Sequence, residues 1–424
     1  MNVLILGASG LIGSRLMPAL RSAGCTVTGA GRRQPDDVLQ SEWRSLDFAE
    51  LTTVGAWIPH LAGVDAVVNC VGIFRESQSG DFDRLHRAAP IALFAACELL
   101  GIRRLVHISV LGCGVDAATE YWRSKGAAEA DLLERPANPK FRTTVVRPSL
   151  VYGADGLSSR MFLTLATLPL LALPLAHSAR VQPIHVDDLV ELLVKLVMSN
   201  DSVPREIAAV GPCALTMADY LAQLRRGMDA PPAVVLDLPL PLARQMARLA
   251  ALHPASVLTP DALIMLAGAN TADAGPVAEF LERAPREPDT FAKPEQRPAA
   301  VLAWGLPLAR MAVAALWLIT AAVSWFAWPH AESSRWLAAC GIPADWRETT
   351  LLAASLADAA IGIVLVVRPR HWLWPLQIAL VGGYTVVMSA CLPQFWLHPF
   401  GLLSKNLPIL ALMAIMWRLE GKRN

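Results

Sequence analysis

Charge is what this sequence has least of. Lys, Arg, Asp and Glu together make up 17% of its 424 residues, and hydrophobic residues take 54%, where soluble proteins average ~25% and ~45–50%. That balance excludes a purely soluble enzyme. The net charge is +1, so there is no basic surplus for a nucleic-acid partner. No C-x-x-C pair and no Cys/His spacing suited to a metal is present. The seven cysteines (Cys25, Cys70, Cys97, Cys113, Cys213, Cys340 and Cys391) are odd in number and scattered, which reads as reduced thiols in a cytosolic compartment. A continuous apolar h-region is missing too, because glycines punctuate NVLILGASGLIG. No signal peptide is expected.

What is there falls into three parts. Apolar runs of strand length, at residues 3–6, 26–28, 66–70, 105–108 and 143–146, alternate with helical patterns. Continuous apolar strands alternating with helices predict a parallel sheet covered on both faces, a doubly wound α/β domain over residues 1–282. Residues 283–300, dense in proline and charge, read as a linker. Beyond it, residues 306–328, 350–367, 372–392 and 402–417 are four apolar stretches, each near the ~20 residues that a helix needs to cross a bilayer. The loop Arg368-Pro369-Arg370-His371 and the tail 418–423 are basic, whereas the first loop, with Glu332, Arg335, Asp345, Arg347 and Glu348, is not. The positive-inside rule then places both ends of the chain in the cytoplasm. Arg310, Asp358 and Lys405 fall within or beside these stretches, where charge is costly and often functional, although long side chains also snorkel. Cys340 and Cys391 fall toward the outer face, where a disulfide is allowed.

Gly7-Ala8-Ser9-Gly10-Leu11-Ile12-Gly13 follows the first strand and opens a helix. In that setting G-x-x-G-x-x-G predicts a dinucleotide loop. The glycines allow the tight turn and the close approach of backbone to pyrophosphate, and the helix N-terminus receives the anion. Gly7, Ser9, Gly10, Leu11, Ile12 and Gly13 are the expected contacts. At the end of the second strand the carboxylate that marks NAD specificity is lacking; Gly31 stands there, followed by Arg32 and Arg33. An arginine here pairs a 2′-phosphate, so NADP(H) is the preferred cofactor and NAD(H) the alternative. Asp47, after the third strand, is placed to accept from the adenine amino group. Asn69 and Gly72, after the fourth, are placed to line the cofactor.

The tract HISVLG…EYWRSKGAAEA…VVRPSLVYG…QPIHVDDL, with GASGLIG before it, resembles the short-chain dehydrogenase/reductase superfamily. It is most similar to extended and atypical members of the NAD-dependent epimerase/dehydratase type, in the branch that includes the nucleotide-binding accessory subunit of respiratory complex I. Residues 301–424 resemble the DoxX-like four-helix membrane module. The first resemblance implies Tyr121 as acid/base, Lys125 as its activator and cofactor-ribose ligand, and Ser109 as the group that orients the substrate oxygen. The chemistry agrees. A free tyrosine titrates near ~10 and is a poor base at neutral pH, and a lysine one helical turn away shares its face and stabilises tyrosinate. Two departures from the family pattern stand out. His86 occupies the position of the relay asparagine, and only eleven residues separate Ser109 from Tyr121, which argues against a bulky sugar nucleotide.

The expected function is a membrane-anchored NAD(P)(H)-dependent oxidoreductase acting on a small apolar, quinone- or lipid-related substrate, with the bilayer and a respiratory or other membrane protein as partners and no metal. The alternative is a subunit that holds the cofactor without turnover.

Overall fold

The chain NVLIL forms β1 (Asn2–Leu6), buried from Val3 onward. Successive side chains of a strand point to opposite faces, so each face of the sheet collects half of this run. Val3 and Ile5 pack with Leu16, Leu20 and the helix Val186–Met198 on one side. Leu4 and Leu6 pack with Trp57, Leu93 and Leu105 on the other. A computed structural model of the protein describes residues 1–201, 203–252, 259–268 and 270–421. In it β1 is joined by β2 (Thr26–Gly31), β3 (Trp43–Ser45), β4 (Ala66–Asn69), β5 (Arg104–Ile108), β6 (Arg142–Pro148) and β7 (Glu206–Ala209). The order is β7-β6-β5-β4-β1-β2-β3, and every pairing is parallel. This is a Rossmann-type sheet whose order reverses between β1 and β4, the place where such sheets open a crevice at their carboxyl edge.

Helices α1 (Gly13–Ser22), α2 (Val54–Leu61), α3 (Ala89–Leu99) and α4 (Glu120–Glu134) cover the first half. A smaller lobe builds its own core from Leu163, Ala166, Leu171, Tyr220, Leu221 and Leu224. Residues 283–300, expected to be a linker, pack against the first unit. Arg283 and Arg286 both pair with the fully buried Asp188, at 2.7 and 2.8 Å. Phe291 and Ala292 are buried in the small lobe's core, and the Tyr152 hydroxyl donates to Gln296 Oε1 at 3.1 Å. Arg283, Arg286 and Arg297 of this stretch therefore have partners in the fold. The chain divides into two compact units, Met1–Ala300 and Val301–Asn424.

The second unit is helical. Among the described residues three helical stretches, Pro294–Ala327, Ala344–Val367 and Leu373–Cys391, are long and apolar enough to cross a membrane. The fourth apolar stretch yields the shorter helix Asn406–Leu419. Its 14 residues cover ~21 Å at 1.5 Å each, against a hydrocarbon core of ~30 Å. The bundle core holds Val313, Trp317, Ile361, Leu365, Trp374 and Met413. Trp317 Nε1 donates to Gln377 Oε1 at 2.7 Å. Arg310 pairs with Glu420 and Lys405 is exposed. Asp358 is buried, and neither its Oδ1 nor the Oγ of Ser355, three residues before it, has a partner among the described residues. Two of the seven cysteines depart from the reduced reading, since Cys340 and Cys391 are disulfide-bonded; the other five are free.

Candidate active site

The turn after β1 shows why glycine stands where it does. Gly7 has φ +73°, and a Cβ there would lie 3.0 Å from the carbonyl of Cys70 on the neighbouring β4 loop. A Cβ on Gly13 would come within 2.5 Å of Gly7 O, so the third glycine lets α1 start directly against the turn. The Gly7 and Ala8 amides both donate to Ala30 O, at 3.0 and 3.2 Å. Among the described residues the amides of Leu11 and Ile12 donate to no backbone carbonyl. The α1 N-terminus also has no side-chain cap and no acid in its first turn. Uncapped N–H groups at a positive helix end fit a pyrophosphate, and Ser9 and Gly10 are exposed in the same turn.

Arg32 and Arg33 lie exposed just past the end of β2 and make no hydrogen bond or ion pair among the described residues. Asp47 is exposed as well, with Oδ1 accepting from Ala49 N at 3.1 Å, so it caps the turn after β3. Asn69 is fully buried. Its Oδ1 accepts from Val71 N and its Nδ2 donates to His107 Nδ1, both at 3.1 Å. Its side chain braces the loop, and the backbone beyond it is what reaches the crevice. At Gly72 the close neighbour is Lys125, whose Nζ would lie 3.1 Å from an added Cβ.

Ser109 follows β5 directly, its amide bound to Val146 O at 2.8 Å. Thr119 caps α4 through Trp122 N, which sets Tyr121 and Lys125 one turn apart on its first half. The Lys125 ammonium donates to Ile108 O at 3.0 Å and Val71 O at 3.4 Å, tying the carboxyl ends of β4 and β5 together. Burial lowers its pKa to about 8, opposed by Cys113, Cys70 and Glu129. The half-buried Tyr121 ring touches Phe74, His86 and Phe82 at centroid distances of 5.5, 5.5 and 5.9 Å. Burial, reinforced by Cys113, raises its hydroxyl to about 12. The expected lowering of the tyrosine by Lys125 is therefore not seen in the protein alone, because the ammonium is directed to two backbone carbonyls. Tyr121 thus sits in an aromatic pocket with its hydroxyl raised above the ordinary tyrosine value.

His86, in the asparagine position, accepts from Ile73 N at 3.0 Å through Nε2 and contacts Ser124 Oγ at 3.1 Å through Nδ1. Burial and Lys125 lower it to about 2, so it braces the pocket as a neutral ring. Sequence reasoning missed Cys113, Glu129 and the aromatic wall of Phe74 and Phe82. The Cys113 thiol donates to Glu129 Oε2 at 3.0 Å and lies 3.2 Å from Ser109 Oγ, while Arg147 Nε donates to Glu129 Oε1 at 2.8 Å. With the thiol proton directed to Glu129, the Ser109 hydroxyl donates to sulfur in the unliganded protein, and it must turn that proton to the crevice to hold a carbonyl oxygen. Position 129 lies one turn beyond Lys125, so the stripe 121, 125, 129 was the available signal.

Residues 3–211 match the NAD dependent epimerase/dehydratase family and residues 314–414 the DoxX-like family. Subunit 9 of the NADH dehydrogenase [ubiquinone] 1 alpha subcomplex from Mus musculus is 23% identical over 223 residues, 49% of this chain and 56% of that protein. A ceramide reductase of Caulobacter vibrioides is 28% identical over 197 residues, 45% of this chain and 59% of that protein. The chain thus spans less than two thirds of the length of either relative. A human epimerase family protein solved with NADPH superposes with a TM-score of 0.52 at 18% identity, covering 70% of this chain and 99% of the other. MoeE5, solved with UDP-glucuronic acid and NAD, superposes at 0.52 and 20% identity, covering 71% and 100%. At these identities the two structures establish the fold.

Proposed function

We propose that this chain, an NAD-dependent epimerase/dehydratase domain followed by a DoxX-like domain, is a membrane-anchored NAD(P)(H)-dependent oxidoreductase that reduces a carbonyl on an apolar, quinone- or lipid-related molecule. The observation that carries this reading is Tyr121 in a pocket of Phe74, Phe82 and His86, in a chain with helices long and apolar enough to cross a membrane. Apolar walls suit an apolar substrate.

The glycine turn Gly7–Gly13 and the α1 N-terminus hold the cofactor's pyrophosphate, Arg32 and Arg33 meet a 2′-phosphate, and Asp47 faces the adenine side. Bound there, the nicotinamide supplies hydride. Tyr121 donates the proton to the developing alkoxide, and Ser109, turning its hydroxyl proton from the Cys113 sulfur to the substrate oxygen, positions that oxygen. Lys125 binds the ribose and holds positive charge near the phenol. The relative named as a ceramide reductase supports a lipid substrate. A second reading, a non-catalytic NAD(P)H-binding membrane subunit, is favoured by the neutral His86 brace and by the respiratory-complex relative.

Purifying the full chain in detergent and identifying bound nucleotide and lipid by mass spectrometry tests cofactor and substrate class together. NADPH oxidation is then followed with a short-chain quinone and a long-chain keto-lipid. Tyr121→Phe should lower kcat by ~10²–10⁴-fold, the usual worth of a general acid, with nucleotide affinity unchanged. Turnover that survives the substitution would eliminate Tyr121 as the acid, and no turnover with either substrate would favour the second reading.

A further inference from the structure

We propose that the helical unit binds the phosphate-bearing headgroup of an anionic phospholipid in the cavity where Arg310, Arg368 and Arg370 converge. This cavity measures about 990 Å³, at the upper end of the ~300–1,000 Å³ of ligand pockets. Leu302, Leu306 and Arg310 of the first long helix form one wall; the 368–372 loop and residues 419–421 form the other. Three arginines and one carboxylate, Glu420, line it, a net charge of +2 before His371 is considered.

The charges are not equally engaged. Arg310 Nη1 lies 3.2 Å from Glu420 Oε1, and Trp374 Nε1 donates to the other oxygen of that carboxylate at 2.9 Å. Glu420 is therefore held on Arg310 and Trp374. His371 donates through Nε2 to Trp417 O at 3.1 Å. Arg368 and Arg370 are exposed, and their side chains make no hydrogen bond or ion pair among the described residues. Two free guanidiniums either side of Pro369 present planar donor forks that match phosphate oxygens.

Position decides between a lipid and a soluble phosphate. The arginines stand where the apolar helix Ala344–Val367 ends, Leu373–Cys391 begins and Asn406–Leu419 runs out, and Trp372, 55% exposed, stands at the mouth. Tryptophan at such a level marks a membrane–water interface, and basic pockets between membrane helices select anionic headgroups. Free phosphate gains nothing from this level, whereas a glycerophospholipid sets its headgroup on the arginines with its acyl chains among the apolar helices.

The test uses the full chain in neutral detergent, incubated with phosphatidylglycerol or phosphatidylcholine, separated by gel filtration and assayed for retained lipid by mass spectrometry. Phosphatidylglycerol should be retained at least tenfold better, and millimolar inorganic phosphate should not displace it. The double substitution Arg368→Gln and Arg370→Gln should abolish the preference, and the Lys double variant should restore part of it. Salt supplies an arm free of substitution: 1 M NaCl should bring phosphatidylglycerol retention down to the phosphatidylcholine level. Equal retention of the two lipids, a preference indifferent to salt, or displacement by phosphate would each overturn the proposal.

Discussion

Arg32 and Lys125 carry the two electrostatic demands of the proposed nucleotide site. Arg32 is exposed beyond β2 with no protein partner among the described residues, so a 2′-phosphate would be its main ligand. The full chain is expected to bind NADPH more tightly than NADH, with Arg32→Ala narrowing the gap by ~1–3 kcal/mol in calorimetry; equal affinities in the unmutated protein would remove Arg32 from this role. Lys125 titrates at about 8 when folded, against 10.5 for an ordinary lysine. Between those values the unfolded chain holds a proton that the folded chain has released, so stability of the unliganded protein rises with pH across this window, by roughly 3 kcal/mol in all. An anionic cofactor favours the ammonium instead. NADPH affinity should therefore fall as pH rises through about 8, and Lys125→Met should abolish that step; an affinity flat across it in the unmutated chain would show that the lysine charge does not face the cofactor.

At the level of elements, the helix Leu240–Ala250 carries a prediction of its own. Ala243 and Ala247 are buried against Leu263, while Leu242, Met246, Leu249 and Leu252 are 47–80% exposed, and Arg244 and Arg248 are exposed beside them. Arg75, next to the Phe74 that touches Tyr121, donates to Ala251 O at 2.7 Å. An apolar row flanked by arginines suits the surface of an anionic bilayer, and here it adjoins the pocket mouth. A fluorophore on Leu249→Cys, in the full chain reconstituted into nanodiscs, should be quenched by spin-labelled lipid, more with phosphatidylglycerol than without; a label that stays fully water-exposed would assign the row to another surface. Legibility differed among elements for physical reasons. The strand NVLIL and its glycine turn were readable because a buried parallel strand must be continuously apolar and a turn at positive φ needs glycine. Trp43–Ser45 was placed only by position, as the third strand ahead of Asp47, and Glu206–Ala209 was not seen, since WRS and EIAA are too short and mixed to carry a period. Arg283 and Arg286 looked like linker charges because composition cannot reveal a partner nearly a hundred residues away, Asp188. The Ser109, Tyr121 and Lys125 spacing was visible, but the carbonyls that engage the lysine were not.

The whole chain joins a nucleotide-binding unit to a helical one, and the disulfide between Cys340 and Cys391 has a consequence at this scale. The helix Leu373–Cys391 has 19 residues and spans ~28 Å, with the basic 368–371 loop at its start and Cys391 at its end. Cys213, in the nucleotide-binding unit, is exposed and free. Disulfides persist where the surroundings oxidise, and thiols where glutathione-type pools reduce. One polypeptide is thus expected to meet two redox poises, with its hydride chemistry on the reducing side and its only cross-link among the described residues on the oxidising side. In intact cells an impermeant phosphine should open Cys340 and Cys391 to a maleimide tag, while Cys213 should be tagged only after the membrane is permeabilised. Labelling of Cys213 in intact cells would reverse the sidedness. On that expectation the Cys340–Cys391 pair would open and close with the poise of the compartment it faces, while Cys213 would follow the other.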